Sequence, residues 1–274
     1  MRNPLLARLP DLLYRLLVYG VGGLAVAYLT FPVVIALILS FGAGQTLKFP
    51  PEGFSLHWYA ALIDPVVSAT EHIAAFHSLE IALFAAIVSL FFAIPAAIGT
   101  ARTSRRTANL VEPLLLAPLV LPSLVYGLAA LVVANAVGLR PSLWLTVAGH
   151  VVVFGPLMYR TAAALAQGLD PSLEEASTTL GAGTLTTLRR ITLPLLLPGI
   201  LAGTFLVFIG SIDNVSITLF LADPETTVLP LRMFALIEES LDGRVAAISG
   251  VLILVTLAGA LIGRRFLGPS RSAP

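Results

Sequence analysis

With 57% of its 274 residues hydrophobic and only 11% charged, the chain holds far more apolar side chains than a soluble core of this size requires, and it reads as an all-α integral membrane protein. A net charge of +1 excludes nucleic acid as a partner, because phosphate binding needs basic residues gathered on one face. No cysteine is present, so neither a disulfide framework nor a thiolate metal site is available.

The first residues carry Arg2, Arg8 and Arg15 against the single acid Asp11, a basic tail expected to stay in the cytoplasm. A first span follows at about 16–41, long enough to cross roughly 30 Å of hydrocarbon, with Pro32 as an expected kink. It is too long for a signal-peptide core, lacks a small-residue cleavage site, and is expected to be retained. Residues 42–75 are polar and aromatic, and Phe54, Trp58, Tyr59 and Leu62 fall near helical spacing. Their amphipathic rings predict an interfacial helix at the outer headgroup level rather than a substrate site.

A second span is expected at about 76–100, followed by Arg102, Arg105 and Arg106 in a short inner loop. The third, about 110–134, contains Pro113, Pro118 and Pro122, enough missing N–H donors to predict a broken or bent helix. The fourth, about 143–166, contains His150, a functional candidate by its depth, although a lone intramembrane His also serves as an interhelical hydrogen-bonding group. A fifth span at about 195–221 and a sixth at about 245–267 flank an acidic outer segment holding Asp223, Glu225, Glu238, Glu239 and Asp242. Arg264, Arg265 and Arg271 close the chain inside, and Arg160, Arg189 and Arg190 surround the loop between spans four and five. Twelve of the sixteen basic residues thus fall on one side, leaving Lys48, Arg140, Arg232 and Arg244 outside. That bias predicts six spans in one permease domain, 1–274, with both termini in the cytoplasm.

Between spans four and five lies a polar, helix-forming insert from Glu174 to Pro194. Ser172 is expected to cap its first helix, Glu175 reaching back in a capping-box spacing, with Pro171 just outside. That helix is expected to run to about Leu180, where Gly181 supplies the left-handed conformation that ends it. A second short helix is expected from Thr184, carrying Arg189 and Arg190 in its last turn, with Pro194 opening the next span. Ala176, Ser177, Gly181 and Ala182 are small, so another protein's surface can approach the elbow closely.

The pattern of Glu175, Ala176, a small third residue, Gly181 six places on, then Ile191, Leu193 and Pro194 resembles the EAA loop of type I ATP-binding-cassette (ABC) importer permeases. Ser177 stands where that family usually has Ala. The resemblance implies an ATPase-coupling surface built from Glu174, Glu175, Ala176, Ser177, Gly181, Arg189, Arg190, Ile191 and Pro194, seated in a cleft of a separate subunit. The chain itself lacks a glycine-rich loop ending in Gly-Lys-Ser/Thr and other hydrolase motifs, so no cofactor is expected on it, and ATP with Mg is expected on the partner. An ion-coupled secondary carrier is the rival reading; it would show inverted repeats with paired broken helices, and neither is visible.

Asp213 stands out as an ionisable residue deep in the fifth span, where a carboxylate needs water or a partner such as Arg232 or Arg244. Ser211, Asn214, His150 and Tyr126 join it as candidates for a substrate pathway. From Ser211 to Phe220, and on through Thr227, Leu229 and Pro230 to Ser249, the chain is similar to the second permease of spermidine/putrescine-type importers. Phe54, Ser55 and Leu56 with Trp58 and Tyr59, and Pro95 to Ala97, extend that similarity. It implies a polyamine or related cation as cargo, with iron, aminoethylphosphonate or opine importers as alternatives. Relatives commonly carry a second acid where Asn214 stands. The implied partners are a second permease of different sequence, two ATPase copies and an extracytoplasmic binding protein, in the inner membrane of a bacterium.

Overall fold

The computed structural model describes the backbone of residues 4–240 and 243–267, and side chains over 14–239 and 243–262. The charges of Arg2, Arg8, Asp11, Asp242, Arg264, Arg265 and Arg271 lie outside the described side chains. The chain packs as two compact units, Met1–Ser68 with Leu236–Val255 and Ala69–Ala235 with Thr256–Pro274.

In the first unit, α1 (Pro4–Ser40) is one long apolar helix. It ends where the Ser40 hydroxyl donates to the Leu37 carbonyl at 2.6 Å, and a loop then returns through an isolated antiparallel bridge between Gly42 and Phe54. The helix expected around Trp58 is α2 (His57–Ile63), with Phe54 outside it and its ring exposed. Trp58 and Tyr59 are half-buried, and their polar atoms bond within the chain. Trp58 Nε1 donates to the Gly44 carbonyl at 3.1 Å and the Tyr59 hydroxyl donates to Ser40 Oγ at 2.8 Å. Their polar tips thus find acceptors while their rings pack, as buried tyrosine and tryptophan require.

The second unit is built on α3 (Ala69–Arg102), α4 (Arg105–Val120), α5 (Ser123–Ala136) and α6 (Leu143–Gln167). After them come α7 (Pro171–Thr179), α8 (Thr184–Thr187), α9 (Leu193–Ile212), α10 (Ser216–Leu221) and the start of α11 (Leu229–Ser240). The last helix, α12 (Arg244–Leu267), begins in the first unit and ends in the second. Its core is made largely of small residues: Ala85, Ala86, Ala93 and Ala97 of α3 meet Met158, Tyr159, Ala162 and Ala163 of α6 and Val207 of α9. In lipid there is no water to drive helices together, so close backbone approach supplies the packing. Gly203 shows how close: a Cβ there would lie 2.6 Å from the Met158 Cα.

Among the described residues five helical stretches are long and apolar enough to cross a membrane: Tyr14–Ser40, Ala69–Arg102, Leu143–Gln167, Thr184–Ile212 and Arg244–Ile262. The proline-rich third span is broken, α4 and α5 meeting at 101°. Pro113 and Pro118 remain inside α4, so the break belongs to Pro122, which holds Leu121 extended at ψ 132°. Counted as one span, this pair raises the total to six.

One expected boundary is corrected. The fifth span ends at Ile212 rather than 221, because residues 213–215 leave the helix before α10 begins. The acidic segment between α10 and α12 contains the helix α11, whose first turns are fastened to α3. Leu229 N–H donates to Ser78 Oγ at 2.9 Å, and Arg232 Nε meets Glu71 Oε1 at 3.1 Å. Glu71 is only 2% exposed, so burial of an acid there depends on its arginine.

Candidate functional site

The elbow begins differently from the expected capping box. Asp170, not Ser172, caps α7, its carboxylate accepting from Ser172 N–H at 2.9 Å, and Pro171 occupies the first helical position. Proline has no N–H to satisfy and its ring presets a helical φ there, which moves the cap one place ahead of it. Hydrogen bonds from the Ser172 N–H and then from its hydroxyl hold the Asp170 carboxyl below its ordinary range.

At the other end Gly181 adopts φ +84°. Its N–H donates to Thr178 O at 2.9 Å, and Ala182 N–H donates to Ser177 O at 3.1 Å, the paired bonds of a Schellman ending. α8 does not stop at Arg189 and Arg190. A π-helical turn, Leu188–Thr192, carries it directly into α9, so Thr184–Ile212 is one continuous helix. The wider turn accommodates Pro194, whose missing N–H would otherwise leave a gap in a regular helix, and Leu193 N–H bonds back to Leu188 O. The two arginines therefore lie along a helix and not at its negative end.

The side chains divide into two sets. Glu175, Ala176, Gly181, Arg189, Arg190 and Pro194 are exposed, as is Leu180 at the tip, 88% accessible. Ile191 is half-buried. Ser177 is turned inward and shares a hydrogen bond of 2.9 Å with Thr187, both buried. Glu174 also turns inward. Its Oε1 accepts from the Thr192 hydroxyl at 2.5 Å and from the Arg102 guanidinium. The Thr192 bond, with Arg102 adding to it, holds the Glu174 carboxyl below its ordinary range against a smaller opposing effect of burial. Arg102 and Thr192 carry no motif of their own and escape a reading of the loop in isolation.

A second polar cluster lies where α6 meets the break after α9. His150 is 1% exposed; its Nδ1 is 2.6 Å from Ser211 Oγ and its Nε2 is 3.2 Å from Thr218 Oγ1. The Thr218 hydroxyl donates to the Asn214 carbonyl at 3.1 Å. Its oxygen is then free to accept from Nε2–H, and Ser211 donates to Nδ1, which satisfies all three groups. Asn214 Oδ1 accepts from Ile217 N–H at 2.8 Å and starts α10. Tyr126 packs half-buried against the apolar group of Val153, Ile217 and Leu221. Four of the five pathway candidates thus gather around α10. Asp213 does not join them: it is exposed at the break, its carboxylate meets no partner among the described residues, and Arg232 is engaged with Glu71. Among the described residues no three His, Asp or Glu side chains come together as a metal would require.

A family model described as "Binding-protein-dependent transport system inner membrane component" matches residues 89–267. The spermidine/putrescine transport system permease protein PotC of Haemophilus influenzae is 32% identical over 234 residues, covering 85% of this chain and 89% of that protein. A probable molybdenum ABC transporter permease protein of Haloferax volcanii is 33% identical over 219 residues, covering 76% of this chain and 80% of that protein. Among solved structures, a bacterial ABC transporter involved in the import of the acidic polysaccharide alginate superposes with a TM-score of 0.67 at 15% identity, covering 95% of this chain and 98% of that one.

Proposed function

Since the chain belongs to the inner membrane components of binding-protein-dependent transport systems, and is a permease subunit of an ABC importer, we propose that its elbow receives the push of a separate ATPase and that its cargo is a polyamine or related organic cation. The observation that carries the coupling reading is the elbow itself. A Schellman ending at Gly181 turns Glu175, Ala176 and Leu180 outward, while Ser177 and Glu174 anchor the same turn from within.

In this reading the chain crosses the membrane six times, with both termini and the elbow in the cytoplasm, as the excess of basic residues on that side supports. It forms half of the pathway. A second permease of different sequence forms the other half, two ATPase copies hold ATP and Mg, and a binding protein delivers cargo from outside the bacterial cytoplasmic membrane. Closure of the ATPase pair draws the elbows together and opens the pathway outward; hydrolysis reverses it. The free carboxylate of Asp213, at a helix break, is suited to exchanging an ammonium's water for an oxygen ligand.

The polyamine assignment is supported by similarity to the PotC protein. The Haloferax relative, with a comparable identity, favours a second reading in which the cargo contains molybdenum. Uptake into vesicles holding the full transporter separates them: spermidine and putrescine should accumulate only with ATP, while molybdate should not compete. Replacing Glu175 by Lys should abolish that uptake; persistence of ATP-driven uptake in this variant would refute the coupling role.

A further inference from the structure

We infer that Arg102, Glu174 and Thr192 form a latch that makes the elbow move as one body with the ends of two spans, so that force on its exposed rim reaches α3 as well as α9. The inference rests on the coupling reading of the elbow and adds positioning residues that the loop motif does not contain.

The need for a latch follows from how α7 is built. It has nine residues, a polar sequence, and a single buried side chain, Ser177. Such a helix has little apolar area to hold it against the bundle, and a glycine at one end and a loop at the other leave it free to pivot. Its orientation is therefore set by polar ties. One is the Ser177–Thr187 bond to α8. The other is the Glu174 carboxylate, where one oxygen receives both the Thr192 hydroxyl from the π-helical turn and the Arg102 guanidinium from the last turn of α3. Arg102 also reaches Thr192 Oγ1 at 3.4 Å, closing a triangle among three elements. Thr192 is buried at 2% exposure, so its hydroxyl has a fixed position from which to hold the acid.

A half-exposed ion pair adds little to stability. Its value here is directional. Without it α7 is tied to α8 and α9 alone, and a push at Leu180 or Glu175 turns α7 about Gly181. With it the same push displaces the cytoplasmic end of α3, the helix that packs most extensively on α6 and α9.

The test uses the complete transporter in vesicles, with a crosslink from Ala176→Cys to the ATPase as the readout of docking and cargo imported per ATP hydrolysed as the readout of coupling. Arg102→Gln and Thr192→Val should still crosslink and hydrolyse ATP, with cargo per ATP lowered about fivefold, the upper range for an exposed ion pair. The charge swap Arg102→Glu with Glu174→Arg should recover most of that loss, which a merely structural role would not produce. Thr192→Val keeps the shape of the side chain, and unchanged thermal stability in it confirms that the fold is intact. Unchanged cargo per ATP in both single variants, or a swap no better than Arg102→Glu alone, overturns the latch. Absence of the crosslink in the parent transporter would instead defeat the coupling reading, and the latch with it.

Discussion

The elbow at residues 170–194 and the break at residues 213–215 are both places where a helix stops inside the same unit, and they are built in opposite ways. At the elbow the backbone closes on itself through Asp170 and the Gly181 ending, and most side chains point away from the bundle. At the break Ser211 and Thr218 point inward, and their partner His150 sits on a different helix. The first closes its backbone turns with partners within a few residues, and its longer ties, to Thr187, Thr192 and Arg102, set only how it sits on the bundle. The second depends on a residue 61 and 68 positions away, so its integrity is a property of the packed bundle. Turns closed by neighbouring residues can be read from their own segment; a joint between distant helices cannot.

The largest effect expected from this contrast is at His150. Replacement by Ala leaves the Ser211 and Thr218 hydroxyls buried without their ring partner, and each such loss costs about 1–3 kcal/mol. Thermal unfolding of the purified protein in detergent should show a clear fall in Tm, with partial recovery in His150→Gln, which can still donate and accept. Gly181→Val should behave in the opposite sense. A β-branched residue at φ +84° carries a strain of about 1–2 kcal/mol, but the strain is confined to the elbow. Its Tm should move little while ATP-driven uptake is lost. Equal Tm shifts in the two variants would break the contrast between a local and a long-range interruption.

Much of the elbow was legible because its signals are short in range. Glu175 to Gly181 fixes a helix length, and Gly181 names its own conformation. The cap was misplaced because Ser172 and Asp170 are both good capping residues, and only the preference of Pro171 for the first helical position separates them. The continuity of α8 with α9 was hidden for a different reason. Pro194 normally marks a helix start, and the π-helical turn that lets a helix pass through it has no sequence signature. Expected ends of the fifth span failed at Asp213, since an apolar run on both sides conceals a three-residue break whose cap, Asn214, is a common residue. The pair Glu71–Arg232 lay outside reach altogether, because its members are 161 residues apart.

Asp213 sharpens the contrast at the break, being the one pathway candidate there that faces outward. Asp213→Asn should leave stability within about 0.5 kcal/mol of the parent, as exposed substitutions generally do. If the carboxylate meets a cationic cargo, the KM for uptake should rise up to about fivefold, the range of an exposed ion pair, and the rise should shrink as salt is added. An unchanged KM at low salt would remove Asp213 from the pathway and leave the buried cluster as a joint only.

The smallest expected effect is the response of the elbow to acid, and its sign is set by Glu174. Its pKa is depressed in the folded chain from an ordinary value of 4.5, chiefly by the Thr192 hydroxyl and then by Arg102. A depressed carboxylate contributes its stabilisation in full above the unfolded value and loses it as pH falls through the folded one. The hold of Glu174 on the elbow is therefore complete at neutral pH and weakens only below about 4.5. Hydrogen exchange of residues 171–180, corrected for the intrinsic pH dependence, should show protection constant from pH 7 to 5 and reduced at pH 3.5. In Thr192→Val the reduction should begin at a higher pH, because the hydroxyl that contributes most to the depression is gone. Protection that falls with the same midpoint in the parent and in Thr192→Val would mean that acid unfolds the unit as a whole, and the elbow would then have no separate electrostatic hold to lose.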